Sequence, residues 1–190
     1  MSFVLLAYQE KPANVHFKNQ EEGETVLLLL RQHMVTNLPW VALVIAALLF
    51  PFLFLAFTGG IGLSLNNLIP QSFQTFIFLA FYMIILAFAF LSFMNWFFNV
   101  DLVTDHRIVD INYWGFLFFR VSSTTIVNIQ DVTYSISGGA GVIFNYGNVK
   151  IQTAGEEPNF MFERIPNPDK VQRLLVSIMR HSSVEGGLSG

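Results

Sequence analysis

The chain of 190 residues contains no cysteine, and only 12% of its residues are charged. Without cysteine it can form neither a disulfide framework nor a zinc–thiolate site. Its 10 Lys and Arg residues do not exceed its 13 Asp and Glu residues, which disfavours nucleic acid as a ligand because phosphate contacts need excess positive charge. The apolar fraction of 53% excludes a disordered chain. These values are typical of a membrane protein.

Charge is missing altogether from a run of 69 residues between Gln32 and Val100. Within it, Leu38 to Phe57 and Phe73 to Phe98 are apolar segments without a charge. Because a helix rises about 1.5 Å per residue, each is long enough to cross a hydrocarbon core of about 30 Å. Residues 58–72 between them are rich in Gly, Asn and Pro, which predicts a loop. The pattern predicts a transmembrane α-helical hairpin over residues 37–98. Two buried helices of a soluble protein are disfavoured, since the remaining chain is too small to cover them.

Basic residues set the expected orientation of this hairpin. The 58–72 loop contains no Lys or Arg, whereas Arg31 and His33 precede the first span and Arg107 follows the second. Cytoplasmic segments carry the excess of Lys and Arg. We therefore expect the loop to face outward and both termini to be cytoplasmic, with the chain in the cytoplasmic (inner) membrane. The first residues lack the positively charged start of a signal peptide, so the first span is expected to act as the insertion signal.

Several side chains near the spans are candidate contacts with membrane or helix. Trp40 and Trp96 fall at the same end of the hairpin and, with Arg31, are predicted interface anchors; ordinary packing is the alternative for each Trp. Three polar residues are predicted contacts between helices: Tyr82, Asn95 and Asn99. Asn95 and Asn99 are four residues apart and would share a helix face, although a position at the membrane interface is equally consistent. No Asp, Glu, Lys or Arg lies within either span, which disfavours a single-chain transporter.

Short alternating segments after the second span predict a mainly-β domain over residues 99–181. The predicted strands are 100–104, 107–113, 116–121, 126–136, 149–153 and 159–163. Residues 122–125 and Gly138–Gly141 are predicted breaks between strands, and a helix is predicted after Pro166. This order predicts a small antiparallel barrel or roll with a C-terminal helix. Residues 1–36 are assigned to a cytoplasmic juxtamembrane segment, in which 26–30 forms an interfacial helix turn or a strand that joins the barrel, and residues 182–190 to a flexible tail.

A family resemblance rests on motifs spread along the chain. They are EGETV at 22–26, VTDHRIV at 103–109, Gly115, IVNIQDV at 126–132, GNVKIQTAG at 147–155 and IPNPDKV at 165–171. Together with the spans, they resemble the bacterial PH-like domain of small membrane proteins, over roughly residues 22–181. The resemblance implies a PH-type barrel with a C-terminal helix, held at the cytoplasmic face of the membrane. It supplies no catalytic residues.

Three classes of function follow from a PH-like domain at a membrane. Binding of lipid headgroups is disfavoured, because residues 101–190 hold 9 acidic and 7 basic residues and the turn at 104–107 offers only Arg107. An enzyme is also disfavoured: no nucleophile motif, phosphate loop, cofactor site or metal-ligand spacing is present. The favoured hypothesis is a non-catalytic module for protein binding or self-assembly, and the alternative is an accessory subunit of a transport or pore-forming complex.

An aromatic hairpin is the predicted contact surface of that module. Tyr113, Trp114 and Phe116 either pack into the barrel core or meet the membrane interface or a partner. The expected partners are the lipid bilayer and either further copies of the chain or an unidentified membrane or cytoplasmic protein.

Overall fold

The computed structural model describes residues 7–12, 20–21, 23–61, 69–114, 118–154 and 160–188. The chain divides into two compact units. One, which we call the β unit, combines residues up to Thr36 with residues from Asn95 onward. The other, which we call the helical hairpin, comprises Asn37–Met94. Both units are interleaved along the sequence, because the hairpin is inserted into the β unit.

The helical hairpin is built from two helices, α1 (Leu38–Gly60) and α2 (Gln71–Phe98), the last turn of which belongs to the β unit. Both helices are long and apolar enough to cross a membrane, and the predicted spans lie inside them. Most of their large apolar side chains are exposed, including Phe52 and Ile84. Apolar residues exposed on every side are what lipid, and not water, would cover. Between the helices, the rings of Phe50 and Phe81 lie 6.4 Å apart.

The β unit contains two antiparallel sheets. The first sheet has five strands in sequence order: β1 (Tyr8–Glu10), β2 (Val26–Leu30), β3 (Val100–Thr104), β4 (Arg107–Trp114) and β5 (Phe118–Thr125). The second has three: β6 (Ile129–Ser135), β7 (Tyr146–Thr153) and β8 (Phe160–Pro166). A short helix, α3 (Gly138–Phe144), connects β6 to β7, and α4 (Pro168–Leu188) follows β8. This mainly-β fold with a C-terminal helix is the predicted one.

One core joins both sheets and α4. It contains Leu28, Leu30, Val103 and Ile108 from the first sheet, Val149, Ile151 and Phe162 from the second, and Val171 and Leu175 from α4. These side chains are almost completely buried. Each fully buried side chain of this size contributes roughly 1.5–3 kcal/mol to folding. A smaller cluster, formed by Val26, Leu29, Leu102 and Val109, brings together the other apolar side chains of the same strands.

Strands β2 and β3 are neighbours although the whole hairpin separates them in sequence. Leu30 pairs with Asp101, Leu29 with Leu102 and Leu28 with Val103. The sequence interpretation assigns residues 26–30 to the juxtamembrane segment, with an interfacial helix turn and a strand that joins the barrel as alternatives. The strand is observed, and it supplies two residues of the core. Periodicity within five residues cannot reveal a partner more than 70 positions away, which is why the sequence left both alternatives open.

Four local predictions differ from the structure. Residues 126–128, predicted to begin a strand, form a short 3-10 helix before β6. Gly138–Gly141, predicted as a flexible turn, forms the first half of α3. Residues 122–125, predicted as a break, continue β5, because Ser122–Thr125 pair with Asp110–Arg107 of strand β4. The C-terminal helix continues to Leu188, beyond the predicted boundary at 181. At Gly138–Gly141 and at residues 122–125, a tertiary or cross-strand contact outweighs the weak local preference of small residues.

We predict that residues 99–188 cannot fold by themselves. Without β2 they lack Leu28 and Leu30, and the exposed edge of β3 loses its partner. We expect no cooperative thermal unfolding transition from this fragment. A matched chain that keeps the β unit, with a Gly/Ser linker in place of Asn37–Met94, is expected to unfold cooperatively. A cooperative transition in the fragment, measured by calorimetry or circular dichroism, would contradict the prediction.

Candidate functional site

The β unit contains a polar cavity of about 770 Å³. It lies where the last turn of α2, strands β3 to β5 and β8 come together. Its lining residues are Gln32, Asn95, Asn99, Val100, Asp101, Asn112, Tyr113, Arg120, Met161, Glu163 and Arg164. Most of them are polar or charged, so the cavity favours a hydrated or charged group over an apolar one.

Two carboxyl groups stand opposite each other at this cavity. Asp101 on β3 pairs in register with Asp110 on β4, and both are half-buried. Burial, the charge of Asp110 and a hydrogen bond between the two raise the pKa of Asp101 well above 3.8. Burial also raises the pKa of Asp110, whose two oxygens each accept a hydrogen bond of 2.8 Å from the Asn112 amide. We therefore assign the proton to Asp101, which donates to the carboxylate of Asp110.

The cavity carries both signs of charge. Arg120 and Arg164 line it together with Asp101 and Glu163. Such an arrangement can hold a polar or zwitterionic group by paired hydrogen bonds. Among the described residues, its lining includes no His, Ser, Thr or Lys. Within the part of the chain that the structure describes, no group of three His, Cys, Asp or Glu side chains could hold a metal ion.

A buried ion pair ties the chain before β2 to the β3–β4 turn. The Arg107 guanidinium donates from Nε to Glu24 Oε1 and from Nη2 to Glu24 Oε2, both at 2.9 Å. The Glu24 side chain is completely buried, and that of Arg107 is 17% exposed. Burial by itself would raise the pKa of Glu24, but hydrogen bonds from Arg107 and from the Glu21 N–H outweigh it and lower the pKa to about 2. Asp105 adds two further bonds, which it accepts from the N–H and the hydroxyl of Thr25.

Comparison with known families decides the identity of this fold. The model of the bacterial PH domain family matches residues 25–178. The chain belongs to the bacterial PH domain family. The match begins beside β2 and ends in α4, so it includes the strand that precedes the helical hairpin. No curated protein and no solved structure gives a significant match. The resemblance inferred from the sequence motifs is confirmed, and PH-like domains are in general non-catalytic binding modules.

The ion pair removes Arg107 from the ligands that a bacterial PH domain could offer to phosphate. Its Nε and Nη2 atoms both donate hydrogen bonds to the Glu24 carboxylate, and the Glu21 carboxylate lies 3.9 Å from Nη1. The neighbouring His106 is 64% exposed and lies 3.8 Å from the Asp105 carboxylate. The basic side chains of the β3–β4 turn therefore lie beside acidic groups, Glu24 before β2 and Asp105 within the turn, in agreement with the weak basic character of residues 104–107.

The three predicted interface anchors occupy different settings. Trp96, in the last turn of α2, is 6% exposed and donates from Nε1 to the Gln32 carbonyl at 2.9 Å. Arg31 is half-buried, with its guanidinium carbon 4.8 Å from the centre of the Phe97 ring. Trp40 donates from Nε1 to Asn37 Oδ1 at 3.0 Å in the first turn of α1. Contact of these residues with a membrane remains a prediction.

The predicted polar contacts divide between the two units. Tyr82 lies in the helical hairpin beside Phe81, its ring centre 5.8 Å away. Asn95 and Asn99 belong to the β unit, where both line the polar cavity. The Asn99 side chain accepts a hydrogen bond from the backbone N–H of Tyr113 on β4. Asn99 thus joins the end of α2 to the sheet, a role that helix periodicity did not indicate.

The aromatic hairpin is described only in part. Tyr113 is half-buried, and its ring centre lies 5.3 Å from that of Phe98. Strand β4 extends to Trp114, whose side chain lies outside the described residues, as does all of Phe116. Packing of Tyr113 against the end of α2 favours an internal role for this residue. Contact of Trp114 and Phe116 with a membrane or a partner remains a prediction.

Two features of the site were missed by reasoning from the sequence. The Asp101–Asp110 pair had a usable signal, because a turn at Asp105–His106 with strands on both sides places these residues opposite each other. The Glu24–Arg107 pair had no such signal in the sequence. Its partners are 83 residues apart, and only the pairing of β2 with β3 brings them together.

We predict that Glu24→Gln destabilises the domain by about 3–5 kcal/mol, because it leaves the Arg107 charge buried without a carboxylate. Glu21→Gln is the matched control. Its side chain is 70% exposed at 3.9 Å from Arg107, so we expect a loss of about 0–1 kcal/mol. The lowered pKa of Glu24 adds stability above pH 4.5 that is lost as the pH falls toward about 2. Denaturant unfolding of both variants across that range measures the difference, and equal losses would refute the assignment.

We predict that Asp101→Asn stabilises the domain at neutral and alkaline pH. An Asp with a raised pKa resists ionisation in the folded state, so the wild-type chain loses stability as the pH rises above 3.8. The Asn amide keeps a donor toward Asp110 and cannot ionise. The gain in melting temperature should vanish as the pH falls to 3.8. Asp131→Asn, at an exposed position on β6, should show no such dependence, and parallel pH profiles for wild type and Asp101→Asn would contradict the protonated pair.

Proposed function

We propose that this chain is an integral membrane protein of the cytoplasmic membrane, with both termini cytoplasmic, that holds a non-catalytic bacterial PH domain at the bilayer surface for protein binding or self-assembly. The single observation that carries the proposal is the insertion of the helical hairpin between β2 and β3. A domain whose neighbouring strands each continue into one helix cannot move freely on a linker.

The connections to the two helices are short. Residues 31–37 separate β2 from α1, and Asn99 alone separates α2 from β3. Flexible linkers between independent domains are longer than such connections. The last turn of α2 packs within the domain through the Trp96–Gln32 hydrogen bond and the Asn99–Tyr113 hydrogen bond. These contacts fix the last turn of α2 within the domain.

The charges of the domain support a protein ligand over a phosphorylated lipid headgroup. Recognition of several phosphates needs a cluster of Lys and Arg around one loop. Arg107, the basic residue of the β3–β4 turn, is engaged by Glu24. The polar cavity places the Glu163 carboxylate beside its two arginines, and this negative charge would repel a polyphosphate.

The edge of the first sheet supports self-assembly. Among the described residues, β5 pairs with β4 alone, so one side of β5 has no partner strand. An open edge can pair with a strand of another chain. Val121 on this strand is 44% exposed, and the strand begins in the aromatic hairpin for which a partner contact was predicted. Further copies of the chain are the occupants we propose for this edge.

Absence of cysteine allows a clean test of the proposed topology and assembly. Ile61→Cys at the end of α1 and Val127→Cys in the domain are both exposed, at 62% and 82%. In intact cells we expect a membrane-impermeant maleimide to label Ile61→Cys after the outer envelope is opened, and Val127→Cys only after lysis. Native mass spectrometry of the same preparations in mild detergent should show more than one copy of the chain or a retained protein partner.

Two outcomes would overturn the proposal separately. Labelling of Val127→Cys in intact cells would place the domain on the outer side of the membrane. If native mass spectrometry shows only a monomer without a protein partner at every concentration, self-assembly and partner binding are excluded. The domain would then be held at the membrane without the proposed role.

A further inference from the structure

Helix α3 carries a compact apolar tip on the bacterial PH domain. Its seven residues, GGAGVIF, contain no charged or hydrogen-bonding side chain. Val142 is 69% exposed, Ile143 77% and Phe144 46%. Three consecutive large apolar residues with this exposure differ from the isolated surface Leu or Val that most proteins show.

The tip is displayed on a rigidly held backbone. Gly141 is buried, and a Cβ there would lie 3.1 Å from the Tyr146 carbonyl. A Cβ at Gly147 would lie 2.3 Å from the Ser135 carbonyl, so only glycine permits the close approach of β6 to β7 below the helix. Asn145 ends α3 in the left-handed conformation and donates its N–H to the Gly141 carbonyl. Gly141 thus faces the domain, whereas the side chains of Val142 and Ile143, which follow it, are exposed.

Ring contacts place this tip beside the chain that leads into α1. The centres of the Phe144 and His33 rings are 6.5 Å apart, and Tyr146 stacks on His33 at 5.5 Å. The backbone of His33 is fixed by a hydrogen bond of 2.8 Å, which its backbone N–H donates to the Arg164 carbonyl. Only residues 34–37 separate His33 from Leu38, the first residue of α1. Even a fully extended chain covers no more than ~18 Å over five residues.

The end of α2 lies at the same place in the domain. Gln32, the neighbour of His33, accepts the hydrogen bond from Trp96 in the last turn of α2. The chain that enters the first apolar helix and the chain that leaves the second are therefore adjacent within the domain, and α3 contacts one of them. The His33 ring adds no charge at neutral pH, because burial lowers its pKa.

We propose that Val142, Ile143 and Phe144 enter the interfacial layer of the lipid bilayer and form a third membrane contact of the domain, besides α1 and α2. This inference rests on the proposed membrane insertion of the hairpin. Apolar side chains of interfacial segments reach about 5–10 Å into the boundary between headgroups and acyl chains. A second protein is the weaker occupant, since three protruding side chains fall far short of the ~800 Å² per partner of a stable interface.

Single-cysteine probes test this contact in the full-length chain. Val142→Cys and Ile143→Cys are each labelled with a polarity-sensitive bimane and reconstituted into nanodiscs of phosphatidylethanolamine and phosphatidylglycerol. Both residues are exposed, so the changes should not disturb folding. We expect blue-shifted emission from both positions and several-fold quenching by lipids that carry a doxyl group near the headgroup. Val127→Cys, at an apolar position 82% exposed outside α3, should emit as in water without quenching.

Leu53→Cys, 66% exposed on α1, separates the failure of this inference from that of the proposed function. Quenching at Leu53 but not at residues 142 and 143 would overturn the inference and leave the membrane hairpin intact. Blue-shifted emission at residues 142 and 143 that doxyl lipids do not quench would also overturn it, because a protein would then cover the tip. Absence of quenching at Leu53 would overturn the membrane insertion and the inference together.

Discussion

The ladder between β2 and β3 is the constraint on which the rest of the structure depends. It closes a loop that contains both apolar helices, and it sets Leu28 and Leu30 into the core against Val103 and Ile108. Closing a long loop costs entropy that grows only slowly with its length, so a 69-residue insertion is tolerable if the closed contacts are strong. A membrane-inserted helix pair would lower that cost further, because it returns the chain to the side from which it left.

Polar contacts at both ends of the ladder stabilise the closure. At one end, Glu24 and Thr25 bind Arg107 and Asp105 of the β3–β4 turn. At the other, Trp96 donates to Gln32. Arg107 and Asp105 are thus used for internal bonds, so the β3–β4 turn offers little free positive charge. This engagement of Arg107 is one support of the proposed preference for a protein ligand over a polyphosphate.

Local structure followed from the sequence where a signal was strong and contained within one element. The strands at 100–104 and 107–113 were predicted within one residue of their observed ends, because alternation and the turn at Asp105–His106 agree. The helix at Gly138–Phe144 was not predicted, since glycine has a poor helix propensity. In the folded chain Gly141 packs closely against Tyr146 of β7, a contact that the local sequence does not show. The candidate cavity was also missed, as its lining residues come from five separate elements.

The sequence by itself determined the two apolar helices, the mainly-β character of the following chain and the family to which it belongs. A run without charge, a two-residue alternation and distributed motifs are all properties of neighbouring positions, so they can be read before folding. Only the tertiary structure decided that residues 26–30 belong to the sheet, that Glu24 neutralises Arg107 and that Asp101 and Glu163 line one cavity. Each of these depends on strand pairing between distant segments, and pairing is selected by the burial of a shared core that no single segment contains.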